Sequence, residues 1–180
     1  MQIEEIFMGA SWIGIPDEQY ELRDKTKGTT ETKTAYFRKR FILNEKAELK
    51  LTISANSRYR LWINGRAITS GPCKGDRFRR YYETINASEY LKTGENLIAV
   101  KVVDYAPYES SGFADNGPTS IMTNAAGIRF IAGGVCKAES GAVLQDITTG
   151  KSSWKVYLDN AVKWVPAPLT AWMGAMEAVE

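Results

Sequence analysis

Along much of this chain apolar and polar residues alternate with a period of two, the spacing of a strand that turns one face to a core and the other to water. Ala47, Leu49, Leu51 and Ile53 alternate with Glu48, Lys50 and Thr52, which predicts a half-buried strand, dry on one face and wet on the other. Residues 36–43 put Phe37 and Phe41 on one face and Arg38 and Arg40 on the other. Lys39 falls between the two phenylalanines, so this strand is expected near a sheet edge or under a loop. Tyr59, Leu61 and Ile63 alternate with Arg58, Arg60 and Trp62 and run into Asn64-Gly65. That dipeptide tolerates positive φ at both central positions of a type I′ turn, so residues 66–69 are expected to return as the partner strand.

Gly71-Pro72 ends this hairpin, and residues 79–83 read as another short extended piece. Asn86 is placed to cap a helical turn over residues 89–91, with Glu89 reaching back and Lys92-Thr93-Gly94 stopping it. Residues 96–104 are rich in β-branched side chains between turn formers, which predicts a strand covered on both faces. Residues 127–135 and 154–158 are two further candidates. A helical period is not sustained over about 10 to 12 residues anywhere. The predicted class is therefore all-β: an antiparallel β-sandwich with a short helical turn, residues 1–180 forming a single domain. Residues 21–33 are nearly all polar and read as an exposed connection. Between residues 106 and 126 the period fails among Pro107, Gly112, Gly117 and Pro118. Loops of that length are uncommon in compact domains unless they bind something or move.

At 180 residues, 44% of them hydrophobic, the chain is long enough to bury a core without staples. The net charge of +2 points to neither a nucleic acid nor a membrane as partner. Histidine is absent, which excludes Ser-His-Asp and Cys-His relays, His-ligated zinc and an imidazole base. Cys73 and Cys136 lack C-x-x-C spacing, so two reduced thiols are expected, with one disulfide as the alternative. Glu4 and Glu5 precede a short apolar run where an export signal would be basic, and no segment approaches the roughly 18 apolar residues of a membrane span. If Met1 is the natural start, the expected location is the cytoplasm.

Charge is distributed unevenly. From residue 58 to residue 80, Arg58, Arg60, Arg66, Lys74, Arg77, Arg79 and Arg80 face Asp76 alone, with Tyr59, Trp62, Phe78, Tyr81 and Tyr82 interleaved. Such a stretch can hold a phosphate backbone with stacked bases, or it can be the wet face of a hairpin docked on another domain. The second is the expectation here, and nucleic acid is not expected as a partner. Asp115-Asn116 in a Gly-rich loop offers hard oxygen ligands for a structural calcium ion, but two side chains are thin support and no cofactor is expected. Asn86-Ala87-Ser88 fits a glycosylation sequon and is read as the helix cap. Phosphate-binding glycine motifs are absent.

The stretch from Ala55 to Asp104 resembles the amino-terminal accessory domain of bacterial α-L-rhamnosidases and their close relatives. The matching residues are S-A-N-S-R-Y-R-L-W-I-N-G-R from Ser54 to Arg66, then Gly71-Pro72, Asp76, Arg79 and Tyr82-Glu83, then Tyr90-Leu91 and the run from Gly94 to Val100. Ala10 to Ile13, residues 36–41, residues 127–131, Asp146-Ile147 and Ser153 to Lys155 give looser support. The resemblance implies a galactose-binding-like jelly roll that precedes a separate helical catalytic domain. This chain would then be a non-catalytic fragment of, or companion to, a larger glycoside hydrolase. Its partners would be the catalytic domain of the same parent chain and a rhamnose-containing glycan. The final residues, Trp172 to Glu180, read as a strand or linker into a next domain.

Candidate ligand-binding residues follow from the physics of sugar recognition, in which C–H faces pack on exposed aromatics and charged groups hydrogen-bond the hydroxyls. On that ground Trp62, Tyr105, Tyr108, Phe113, Asp115 and Asn116 form one group, and Asp76, Arg77 and Arg79 a second. The alternative for each aromatic is core or interdomain packing. For the whole chain the alternative is a purely structural scaffold with no ligand of its own.

Overall fold

The computed structural model describes residues 3–15, 33–55, 58–73, 81–104, 128–165 and 176–179. A helical turn, α1 (Ile3–Ile6), is followed by β1 (Ile13–Gly14), β2 (Lys33–Leu43), β3 (Lys50–Ala55), β4 (Arg58–Ile63), β5 (Arg66–Gly71) and β6 (Glu83–Asn86). A 3-10 turn at Ser88–Tyr90 leads to β7 (Gly94–Asp104), β8 (Arg129–Gly133), β9 (Val135–Lys137), β10 (Val143–Asp146), β11 (Lys155–Asp159), β12 (Val162–Val165) and β13 (Met176–Val179). The strands pair antiparallel in a five-stranded sheet, β11-β2-β7-β4-β5, a four-stranded sheet, β1-β8-β3-β6, and the two-stranded pairs β10-β9 and β12-β13.

The two larger sheets stack as a sandwich, because each turns one apolar face inward. From the five-stranded sheet Phe37, Phe41, Leu61, Ile63, Ile98, Val100 and Val102 enter the core, and from the four-stranded sheet Leu51, Ile53, Phe130 and Ala132 meet them. Phe37 and Phe130 pack across the gap with ring centroids 5.3 Å apart, and Trp154 closes the end of this cluster edge-on to Phe130 at 5.2 Å. These are the separations at which aromatic pairs add to simple burial.

The type I′ turn is present: Asn64 and Gly65 have φ of +50° and +82°. The partner strand runs on to Gly71, and a bulge at Ile68 shifts the register, with Leu61 facing Thr69 and Trp62 facing Ala67. Lys39 sits as its position predicted. β11 reaches β2 only as far as Lys155 opposite Arg38, so Lys39 lies beyond the end of that neighbour and its Nζ donates to the Ser153 carbonyl at 3.1 Å.

Five expectations are corrected. The outer face of β3 is wet only at its start: Glu48 and Lys50 are exposed as expected, but the wet face ends there. Thr52 and Ser54 are buried, because the amino-terminal turn crosses the outer face of this sheet so closely that a Cβ on Gly133, opposite Thr52, would collide with the Phe7 carbonyl oxygen. Conversely β7 is fully buried on one face only. Of its outward residues Glu95 is exposed, Leu97, Ala99 and Lys101 are half-buried, and Val103 at the far end is buried. The extended piece expected at residues 79–83 is shifted to Glu83–Asn86, with Arg79 and Arg80 outside the described residues. The candidate at 127–135 breaks at Gly134 into β8 and β9. The helical turn expected at 89–91 runs instead from Ser88 to Tyr90, with Ala87 at its N-cap and no side-chain cap; the Asn86 side-chain oxygen accepts from the Ser88 N–H at 3.2 Å and hydroxyl at 2.7 Å. Cys136 is buried and Cys73 exposed, both as free thiols. Among the described residues no helix is long and apolar enough to cross a membrane.

Candidate functional site

Strand ends define where ligand-sized connections gather. β3 stops at Ala55 and β4 starts at Arg58, so only two residues separate the rims of the two sheets here. On the four-stranded sheet the same rim carries Gly14 opposite Arg129, and Glu83 opposite Ile53. On the five-stranded sheet it carries Lys33 opposite Asp104, and Gly71 opposite Tyr59. The connections 16–32, 56–57, 74–80 and 105–127 therefore all leave and rejoin the sandwich at one end.

Both groups of sequence candidates belong to those connections. Asp76, Arg77 and Arg79 lie in 74–80, and Tyr105, Tyr108, Phe113, Asp115 and Asn116 in 105–127; all lie outside the described residues, as does the candidate calcium site at Asp115-Asn116. Trp62 is placed elsewhere. It lies near the far end of β4 on the outer face of the five-stranded sheet, half-buried, with the Arg60 guanidinium 5.3 Å from its ring centroid. Trp62 thus lies away from the rim at which the strands bounding those connections end.

The described base of the rim is tied down by polar groups on both sides of segment 74–80. Glu83, at the start of β6, accepts the Tyr59 hydroxyl at 2.6 Å with one carboxylate oxygen and the Cys73 N–H at 3.0 Å with the other. Arg58 donates to the Pro72 carbonyl at 2.9 Å, and the Ser54 hydroxyl donates to the Tyr81 carbonyl at 2.8 Å. Burial of Tyr59, reinforced by its bond to the Glu83 carboxylate, pushes the phenol well above the usual tyrosine range. Tyr59 is a neutral donor throughout the ordinary pH range.

Sequence reading missed two rim residues. Tyr81 and Tyr82 follow segment 74–80 directly and stay 46% and 39% exposed, with Tyr82 edge-on to Phe7 at 5.6 Å. The signal was present in the aromatics interleaved with the arginines. Assigning both tyrosines to a strand concealed their exposure.

No family model matches the chain, and no curated protein matches it. Solved structures do. The α-L-rhamnosidase from Dictyoglumus thermophilum superposes with a TM-score of 0.63 at 22% identity, covering 89% of this chain and 17% of that one. In fold, this chain is similar to one part of α-L-rhamnosidases. A GH78 family rhamnosidase of Bacillus sp. GL1 gives a TM-score of 0.61 at 22% identity, covering 95% of this chain and 16% of that rhamnosidase. The α-L-rhamnosidase of Aspergillus terreus gives 0.58 at 20%, covering 83% of this chain and 18% of its own. The chain thus spans about a sixth of the length of the rhamnosidases it resembles. A lectin from Pleurotus ostreatus, in its apo form, superposes at 0.51 and 18% identity over 95% of this chain and 42% of the lectin.

Proposed function

We propose that this chain is a non-catalytic accessory module of an α-L-rhamnosidase-like glycoside hydrolase, and that it binds carbohydrate at the rim anchored by Glu83. The observation that carries this reading is that the strand ends bounding four connections lie at one end of the sandwich, where two exposed tyrosines follow a segment that carries Arg77, Arg79, Arg80 and Asp76. Tyrosine offers a sugar an apolar ring and a hydroxyl on one rigid side chain, while carboxylates and guanidinium groups supply strong directed bonds to hydroxyls. The fold likeness to a small part of rhamnosidase chains and to a lectin supports the same reading. Its partners under this proposal are a rhamnose-containing glycan and the catalytic domain of a parent chain.

Calorimetric titration of the chain with L-rhamnose, galactose and short rhamnose-containing oligosaccharides tests the proposal. Saturable binding is expected at millimolar sugar, weakened about three- to tenfold by Tyr81→Ala, the share an exposed aromatic face contributes. Silence at millimolar concentrations of all of these sugars, from folded protein, would instead favour an interdomain scaffold with no ligand of its own.

A further inference from the structure

The two outer faces of the sandwich differ. On the four-stranded sheet the amino-terminal turn covers Gly133 and the buried Thr52 and Ser54. On the five-stranded sheet the outward residues form rows across the strands: Tyr157, Tyr36, Lys101 and Arg60 in one, then Lys155, Arg38, Ala99 and Trp62 in the next, then Arg40 and Leu97. This face is basic and aromatic, and Arg38, Arg40, Lys155 and Tyr157 are exposed on it.

An open depression of about 220 Å³ lies among Arg38, Arg40, Ser153 and Lys155. It exists because β11 ends its pairing at Arg38 while β2 continues to Leu43, so the floor loses a neighbour just where two arginines project. The Lys39 bond to the Ser153 carbonyl fixes the wall. Arg40 also meets Glu95 at 3.4 Å, but both side chains are more than 60% exposed, too open to hold Arg40 against a competing anion.

We infer that this depression binds the carboxylate-bearing ring of an acidic glycan, a uronate unit within a polysaccharide, with Tyr157 as the platform for an adjoining ring. This rests on the reading of the chain as a carbohydrate-binding module, at a surface separate from the tyrosine-flanked rim. Two guanidinium groups and an ammonium around one small concavity match a carboxylate, for which arginine provides paired donors. The volume lies below the roughly 300–1,000 Å³ of pockets that engulf a drug-sized ligand, which suits one ring of a chain that continues across the surface. Tyr157 stands two residues from Lys155 on the same face, about 7 Å along β11, a step comparable with that between neighbouring rings. An acidic protein surface would satisfy the charges as well; the 62% exposed ring of Tyr157 beside a concavity the size of one ring favours the glycan.

Titration of the whole chain with oligogalacturonate, a neutral galacto-oligosaccharide and polyglutamate, followed by calorimetry and amide chemical shifts, tests the inference. Oligogalacturonate is expected to bind, to lose affinity as salt rises, and to shift the amides of Arg38, Arg40, Lys155 and Tyr157. Arg38→Ala and Lys155→Ala are each expected to weaken it about tenfold, with unchanged melting, since both side chains are exposed. Polyglutamate bound as tightly as the oligogalacturonate would overturn the inference in favour of an acidic protein partner. Absence of oligogalacturonate binding, binding indifferent to both substitutions, or shifts confined to Tyr81–Glu83 would also overturn it. Neutral sugar bound at the rim without oligogalacturonate would leave the proposed function standing and remove this inference alone; the reverse pattern would remove the rim reading and keep the acidic-glycan surface.

Discussion

Asn96 is fully buried, and every polar atom of its side chain is used. Its oxygen accepts from the Lys92 N–H at 3.0 Å and from the Asn64 amide at 2.9 Å, while its nitrogen donates to the carbonyls of Lys92 at 2.6 Å and Gly94 at 3.0 Å. Asn64 completes the network by accepting from the Leu97 N–H at 2.9 Å and donating to the Tyr90 carbonyl at 2.8 Å. Asn96→Ala strands several buried partners at once and is expected to cost about 2–4 kcal/mol in urea unfolding. A loss below about 0.5 kcal/mol, the level of an ordinary surface substitution, would mean that the network is dispensable. The Asn64-Gly65 pair was legible in the sequence as a turn. The second role of Asn64 was not, since it depends on a partner 32 positions away that only the fold supplies. Titration gives a further residue-scale test. Burial pushes the Cys136 thiol up to about 11, and Tyr59 is raised as well, so the fold holds two protons that the unfolded chain releases at lower pH. Their contribution is complete below the unfolded pKa values of about 8.5 and 10, and it is lost as pH climbs through the alkaline range. Urea midpoints should fall as pH rises above about 9, and Tyr59→Phe with Cys136→Ala should flatten that slope. An unchanged slope in the double variant would place the titrating groups elsewhere.

At the scale of elements, period-two alternation located β2, β3 and β4 because each turns one face to a common core, while the β-branched run of residues 96–104 located β7. The same logic held at Glu48 and Lys50 but failed at Thr52 on the outer face of β3. A cover made of the distant amino-terminal turn leaves no trace in the alternation of β3 itself, and Thr52 and Ser54 are polar residues that hydrogen-bond locally, to Thr84 and the Tyr81 carbonyl. The break at Gly134 is equally a matter of packing. β9 leaves the four-stranded sheet to pair with β10, and the hydroxyls of Thr148 and Thr149 take up backbone groups of Gly134 and Ala132. The cover makes its own prediction. Gly133→Ala places a methyl against the Phe7 backbone, which must move away, and the expected loss is about 1–3 kcal/mol of stability, with faster amide exchange at Thr52 and Ser54. Unchanged exchange at those two amides would show that the turn does not seal that face.

For the molecule as a whole, the all-β sandwich was legible, and the resemblance carried by Ser54 to Val100 agrees with the fold likeness to part of the rhamnosidases. The candidate site was legible only as two segments. Alternation cannot say that the strand ends bounding residues 74–80 and 105–127 lie at one end of the sandwich, because that follows from strand directions and register across two sheets. Glycoside hydrolysis requires two carboxyl groups held about 5–9.5 Å apart across a bond, and at this rim Glu83 is engaged on both oxygens by Tyr59 and Cys73. The isolated chain is therefore expected not to turn over an aryl α-L-rhamnoside; turnover abolished by one carboxylate substitution would contradict the non-catalytic assignment. The most direct test of the central claim is amide chemical-shift mapping during titration with a rhamnose-containing oligosaccharide, which reads both ends of the sandwich together. The account predicts saturable shifts at Arg58, Cys73, Tyr81, Tyr82 and Glu83 and none at Asn64, Gly65 or Ser88 to Tyr90. Shifts confined to that opposite end, or none at saturating sugar, would contradict it.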